Sequence, residues 1–148
     1  GEIEQICGLK YTDTNFFIMQ DLLQKMKGKW IAFSGPDQLF LPALTMGVVG
    51  SIGTNHNVYP ELFVSIYNDF MAGNIGRACE TQALVTRLLA TCSAYGLITD
   101  TKAMLKLRGH DPGFARRPIH PSLPADTEQA LLDEIRSILQ DCELIEVA

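Results

Sequence analysis

No two of the four cysteines stand at C-x-x-C spacing, and no histidine pair accompanies them, so the chain carries no zinc-ligand pattern. Cys7, Cys79, Cys92 and Cys142 are scattered instead, three of them in apolar or helical patterns where free Cys acts as a small hydrophobe. Scattered free thiols favour a reducing, cytoplasmic compartment over secretion. No apolar run approaches the roughly 18 residues of a transmembrane helix, and no signal-peptide pattern opens the chain. Basic charge is also short: 12 Lys and Arg face 17 Asp and Glu, for a net charge of -5. That balance argues against nucleic acid as the main partner, since phosphate binding needs concentrated positive charge. Solenoid-length repeats and low-complexity tracts are missing. So is an initiator methionine: the sequence opens with Gly1 just before a strand pattern, which predicts a processed chain or a fragment.

What is present reads as α/β. The 148 residues are 47% hydrophobic and 20% charged, enough apolar material for a real core. Ile3 to Leu9, with Glu4-Gln5 its only polar interruption, reads as a short strand of the mainly apolar kind usual in parallel sheets covered on both faces. Asp13 or Thr14 can cap a helix to about Lys27, with Phe16, Met19, Leu22, Leu23 and Met26 on one face and Gly28 as its stop. A second strand, Trp30 to Phe33, precedes the Ser34-Gly35-Pro36-Asp37 loop, and a short helix from Gln38 to Met46 follows. Val48 to Ile52 makes a third strand. This alternation predicts βαβ units with right-handed crossovers. The remainder is helical: Pro60 to Ala72 with Gly73 as its stop, Ile75 to Tyr95 closed by Gly96, Thr99 to Leu107, and Asp126 to Asp141 with a Leu131, Leu132, Ile135, Ile138, Leu139 stripe. Arg108 to Pro124, rich in Gly and Pro, is expected to be extended. Three parallel strands leave two unpaired edges, which soluble proteins pair, cover or close, so either other polypeptide completes the sheet or the sheet is not parallel.

Each strand ends in residues able to meet a ligand: Lys10 and Thr12, then Ser34, Gly35 and Asp37, then Thr54 and Asn57. Sites in parallel α/β folds gather at the carboxyl ends of the strands. A strand-end lysine ordinarily lays its stem on apolar surface with the ammonium in water. Flanked by apolar groups, the same amine can attack a carbonyl and form a Schiff base. Asp37 after Gly-Pro is equally at home as a turn residue. His56 sits in a polar loop, His110 and His120 lack a third metal ligand, and Arg116-Arg117 suits a salt bridge.

Gly8-Leu9-Lys10-Tyr11-Thr12-Asp13-Thr14, Gly35-Pro36-Asp37 and Gly50-Ser51-Ile52-Gly53-Thr54-Asn55-His56-Asn57 resemble, in order and spacing, the sixth, seventh and eighth strands of the N-acetylneuraminate lyase and dihydrodipicolinate synthase family. Gly109 to Pro118, with Gly-Phe-Ala-Arg-Arg-Pro, resembles that family's segment before its last helix. The resemblance implies the C-terminal half of a (β/α)8 TIM barrel, with residues 1–57 as the partial barrel and 58–148 as its last helix and a helical extension. It implies Lys10 as the Schiff-base lysine, buried among Ile6, Leu9 and barrel neighbours, and Thr12 beside the substrate. Gly35, Asp37, Gln38 and Thr54 are implied to hold the sugar end. No metal and no separate cofactor are implied, since the covalent Schiff base on Lys10 does that work.

Gly-Thr-Asn-His-Asn is closer to the lyase pattern than to the synthase pattern, so the activity implied is cleavage of an N-acetylneuraminate-like 2-oxo acid sugar to pyruvate and an aldehyde. Gln38 stands where the lyases carry a glutamate for the sugar tail, which keeps a 2-keto-3-deoxy sugar acid aldolase or a dihydrodipicolinate synthase open. The family's carboxylate-binding Ser/Thr pair and catalytic tyrosine belong to the first half of a barrel of about 250 residues. The partners expected are therefore a small 2-oxo acid, a first half-barrel or other chain on the sheet edges, and copies of itself, with neither nucleic acid nor membrane. A non-catalytic half-barrel completed by another chain is the alternative from a different class.

Overall fold

The computed structural model describes residues 4–92, 97–120 and 122–145. Three strands, β1 (Gly8–Tyr11), β2 (Ile31–Ser34) and β3 (Gly50–Ser51), pair in parallel in the order β1-β2-β3. Between them lie α1 (Phe16–Lys25) and, after a 3-10 turn at Asp37–Leu39, α2 (Phe40–Met46). Four helices follow: α3 (Pro60–Met71), α4 (Ile75–Cys92), α5 (Leu97–Lys106) and α6 (Ala125–Leu139). The expected α/β order and parallel sheet are thus present. The expected strand start at Ile3 and the helix end at Tyr95-Gly96 fall outside the described residues.

The chain divides into two compact units, one of Gly1–Gly53 with Phe63–Gln82, the other of Thr54–Leu62 with Ala83–Ala148. In the first, register sets the face each side chain takes: Lys10 pairs with Phe33 and Phe33 with Gly50, while Tyr11 pairs with Ser34 and Ser34 with Ser51. Paired residues in parallel strands share a face, so Lys10, Phe33 and Gly50 form one row and Tyr11, Ser34 and Ser51 the opposite one. Ala32 and Ser34 are buried. The Lys10 face is open: Ile31 is 46% and Ile52 48% exposed. Among the described residues, the outer edges of β1 and β3 have no strand partner.

Asn15, rather than Asp13 or Thr14, caps α1, its Oδ1 accepting from Ile18 N at 3.2 Å. Of the predicted α1 face only Met19 is fully buried. Gly28 (φ +76°) and Gly73 (φ +79°) stop their helices in the left-handed region that glycine adopts without penalty. Pro42 falls in the first turn of α2, where its missing N–H costs nothing. Phe40 and Phe63 meet with ring centroids 6.3 Å apart.

The second unit is a helical core. Leu131, Leu132, Ile135 and Leu139 of α6 are buried as the stripe predicts, with Ile138 half-buried. Leu88, Cys92, Ala103, Met104 and Leu107 are buried with them. Tyr59 donates to Met104 Sδ at 3.4 Å, Arg108 pairs with Glu61, and Lys106 meets Glu128 at 2.6 Å. The described residues of 108–120 and 122–124 form no helix or strand, with turns at 108–109 and 117–118, and Arg116 and Arg117 are exposed. No helix among the described residues is long and apolar enough to cross a membrane.

Candidate active site

Lys10 lies within β1, not at its end, because β1 pairs over Gly8–Tyr11 and ends two residues later than the apolar run predicts. Its side chain is exposed, and Ile6 nearby is 40% exposed. Burial of the amine by Ile6 and Leu9 is therefore not met within this chain: a sheet with one open face offers no wall on that side. Tyr11 points the other way, its hydroxyl donating to Asn15 O at 2.8 Å. Desolvation, with the Asp13 carboxylate second, raises the Tyr11 phenol above its ordinary value. Neither its side of the sheet nor its hydrogen bond sets it beside Lys10.

Thr12 and Gly35 come together where β1 and β2 run out. Gly35 N donates to Tyr11 O at 2.7 Å, extending the parallel ladder by one step. The approach is so close that a Cβ on Gly35 would overlap Thr12 Oγ1 and stand 2.9 Å from Thr12 Cα. Two residues on, the chain turns into the 3-10 segment and Asp37 is 6% exposed. Ile52 N donates to Ser34 O at 2.8 Å and so brings the exit of β3 alongside this turn. Gly53 then lies against the Asp37 carboxylate, where a Cβ would overlap Oδ1. Gln38, next in the turn, is exposed.

Lys10, Thr12, Gly35, Asp37 and Gln38 thus belong to one unit, on or beside the carboxyl end of one sheet. Thr54 belongs to the other, where its carbonyl accepts from Asn57 N at 3.2 Å and Asn57 Nδ2 at 2.9 Å. A cavity of about 180 Å³ lies in that second unit, between α5, residues 111–114 and the start of α6, and includes none of the predicted site residues. Its lysines are already engaged, Lys102 with Pro112 O at 2.8 Å and Lys106 with Glu128. No group of three His, Cys, Asp or Glu able to hold a metal occurs among the described residues.

One residue of the site escaped the sequence reading. Gln82 of α4 is 8% exposed, and its side-chain amide bonds both Leu41 N, at 2.9 Å, and Asp37 O, at 3.2 Å. A signal existed: Ala78, Gln82, Val85, Leu88 and Cys92 share the three-and-four spacing of the buried stripe of α4, and all are buried. A lone amide in such a stripe needs a polar partner inside.

The profile of the dihydrodipicolinate synthetase family matches residues 1–140. The chain belongs to that family. It is 32% identical over 115 residues to the N-acetylneuraminate lyase of Haemophilus influenzae, covering 78% of this chain and 39% of that protein. It is 30% identical over 134 residues to the N-acetylneuraminate lyase of Rhizobium meliloti, covering 90% and 44%. Among solved structures, the Fusobacterium nucleatum N-acetylneuraminate lyase complexed with pyruvate superposes with a TM-score of 0.82 at 26% identity, covering 91% of this chain and 45% of that one. A variant of the Sulfolobus solfataricus 2-keto-3-deoxygluconate aldolase gives 0.84 at 25% identity, covering 93% and 48%. The chain therefore spans less than half the length of these family members, and its three-stranded sheet with crossover helices is the C-terminal half of their barrel fold.

Proposed function

We propose that this chain carries the nucleophile of a Schiff-base lyase that cleaves a 2-oxo acid sugar, N-acetylneuraminate or a close analogue, to pyruvate and an aldehyde. The observation that carries the reading is the placement of Lys10, the lysine of β1, on the open sheet face, with Thr12, Gly35 and the buried Asp37 at the same sheet end. Membership of the family and the likeness to two N-acetylneuraminate lyases at 30% identity or above support it.

The chemistry follows from the amine. Unprotonated Lys10 Nζ attacks the substrate's C2 carbonyl, and loss of water leaves an iminium. The iminium takes up the electron pair of the C3–C4 bond as that bond breaks. The C4 hydroxyl gives up its proton to a base and departs as the aldehyde. The resulting enamine is protonated at C3, and water hydrolyses the iminium to pyruvate and free lysine. Every electron stays within substrate and lysine, so the cycle uses no separate cofactor. Thr12, Gly35, Asp37 and Gln38 hold the substrate, Asp37 through its carboxylate to hydroxyls of the sugar end. The walls that dehydrate the Lys10 amine, and the proton-transfer group, come from the other half of the barrel. That half pairs with the open edge of β1, so the working enzyme is an assembly or a longer protein. Cys7, Cys79, Cys92 and Cys142 are all free, which supports the cytoplasm as its compartment.

The runner-up is a 2-keto-3-deoxy sugar acid aldolase, favoured by the Gln38 amide and the Sulfolobus neighbour. Incubation of the native assembly with pyruvate and borohydride, followed by peptide mass spectrometry, tests the shared chemistry: a reduced pyruvate adduct on Lys10 is expected. No adduct anywhere on this chain would leave the non-catalytic half-barrel as the correct reading. The aldehyde released, compared between N-acetylneuraminate and 2-keto-3-deoxygluconate, decides between the branches.

A further inference from the structure

In an uninterrupted α-helix the N–H of Leu41 would donate to the carbonyl of Asp37, four residues earlier. Here it does not. The segment opens with a 3-10 turn, Leu39 N donating to Pro36 O at 3.1 Å, and α2 begins only at Phe40. Leu41 N donates to Gln82 Oε1 at 2.9 Å, and Gln82 Nε2 donates to Asp37 O at 3.2 Å. One side-chain amide is thus spliced into the helical bond it replaces, accepting from the group that would have donated and donating to the group that would have accepted.

We infer that Gln82 is a positioning residue for the substrate-holding turn, fixing Asp37 and Gln38 in the orientation that presents them to the sugar end of the substrate. This rests on the proposed role of Asp37 and Gln38. Three features make the amide a clamp rather than core filler. Its two partners demand opposite groups, so the amide has one orientation that satisfies both. Gln82 is 8% exposed, so water competes poorly for either bond. The same residue whose carbonyl it holds has its carboxylate packed on Gly53, so the backbone and side chain of Asp37 are each pinned from a different element. A Gln of this reach sets the gap between Asp37 O and Leu41 N. An apolar residue of equal size would leave both Leu41 N and Asp37 O without these bonds, loosen the turn and let the Asp37 carboxylate swing away.

The test uses the native assembly and two substitutions. Gln82→Leu keeps the volume and removes both bonds; Gln82→Glu keeps the acceptor for Leu41 and, ionised, removes the donor to Asp37. Three measurements are made: pyruvate trapping on Lys10 by borohydride, kcat and KM for N-acetylneuraminate cleavage, and hydrogen–deuterium exchange at the Leu41 amide. Gln82→Leu is expected to trap pyruvate at the parent rate, to raise KM about tenfold with kcat changed far less, and to speed Leu41 exchange. Gln82→Glu is expected to raise KM while Leu41 stays protected. An unchanged KM in both variants overturns the assignment and leaves the Lys10 reading standing. Trapping and turnover lost in step, in either variant, would make Gln82 a general core residue and also overturn it. Failure of the parent to trap pyruvate removes the Lys10 reading, and with it the substrate role of the clamp, whatever Leu41 does.

Discussion

The carboxylate of Asp37 occupies the space that a side chain on Gly53 would need. Gly53 follows β3 by two residues and Asp37 follows β2 by three, so the contact ties the exits of two neighbouring strands together. Gly53→Ala therefore has a definite expected effect. The new methyl overlaps Oδ1, and Asp37, which is nearly buried, must rotate out. Overpacking of this kind costs about 1–3 kcal/mol. In the native assembly, KM for the sugar acid should rise at least about tenfold. Pyruvate trapping on Lys10, which is in a different strand, should be kept. Steady-state kinetics beside a urea melt measures both effects, and a variant with parental KM would show that Asp37 does not hold substrate.

Gly35→Ala should act on the fold more than on the ligand. The Cβ would meet not only Thr12 Oγ1 but also Thr12 Cα, which is backbone and cannot swing aside. Relief requires β1 and β2 to part where Gly35 N now donates to Tyr11 O. A loss of about 2–3 kcal/mol is expected from the strain and the lost bond together. Amide exchange at Gly35 should quicken while α6, in the other unit, stays protected. Equal stability to the parent would mean that Thr12 and Gly35 have room the structure does not show.

The sequence pattern carried the element order because apolar runs and glycine stops mark where strands and helices lie. It carried strand limits poorly. Ile6 and Cys7 are as apolar as any strand residue yet precede β1, although Cys7 O still accepts from Ile31 N at 3.0 Å. β3 is Gly50–Ser51 where Val48 to Ile52 reads as five strand residues, with Val49 N and Ile52 N still donating to Ala32 O at 2.9 Å and Ser34 O at 2.8 Å. Lys10, Thr12, Gly35 and Asp37 were legible as candidates because ligand-competent residues follow each apolar strand pattern, whereas Gln38 was legible only through the family resemblance. Their surroundings were not: Lys10 is exposed because its face of the sheet lacks an opposing wall. Cys7 and Cys79 are exposed too, although the pattern around each is apolar or helical. Gln82 stayed hidden because its partners, Asp37 O and Leu41 N, are main-chain groups that no side-chain pattern announces.

The open sheet predicts association. β1 and β3 present unpaired edges among the described residues, and the Lys10 face carries Ile31 and Ile52 about half exposed. Parallel edges of this kind recruit further strands or self-associate. Gel filtration of the isolated 16.3 kDa chain should show a species larger than a compact monomer. Lys10→Pro, at a position whose N–H faces the open edge while Leu9 and Tyr11 bond β2, should shift the elution toward monomer by blunting that edge. A parent that elutes as a compact monomer would contradict the edge argument.

Cys92 and Tyr59 predict a fold that weakens in alkali. Burial pushes the Cys92 thiol up to about 12, with the carboxylates of Asp100 and then Glu134 adding to the effect. Burial also raises the Tyr59 phenol, helped by Cys92 and opposed by the Arg108 guanidinium. Both groups hold their protons more tightly folded than unfolded, so between the two sets of values the folded state binds more protons. Stability is then fully present below the unfolded thiol value of about 8.5 and falls as pH rises toward the folded one. Each such group contributes a slope on the order of 1 kcal/mol per pH unit in that window. Urea melts from pH 7 to 11 should show a plateau and then a decline beginning near pH 9. Cys92→Ala lowers stability at pH 7 by leaving a small cavity, but it should flatten the decline, because one of the two titrating groups is gone. Cys92 should also resist alkylation at neutral pH while Cys7 and Cys79, both exposed, react first. A variant with the parent's slope would show that the fold does not hold Cys92 neutral, and a parent with no decline up to pH 11 would show that it holds neither group.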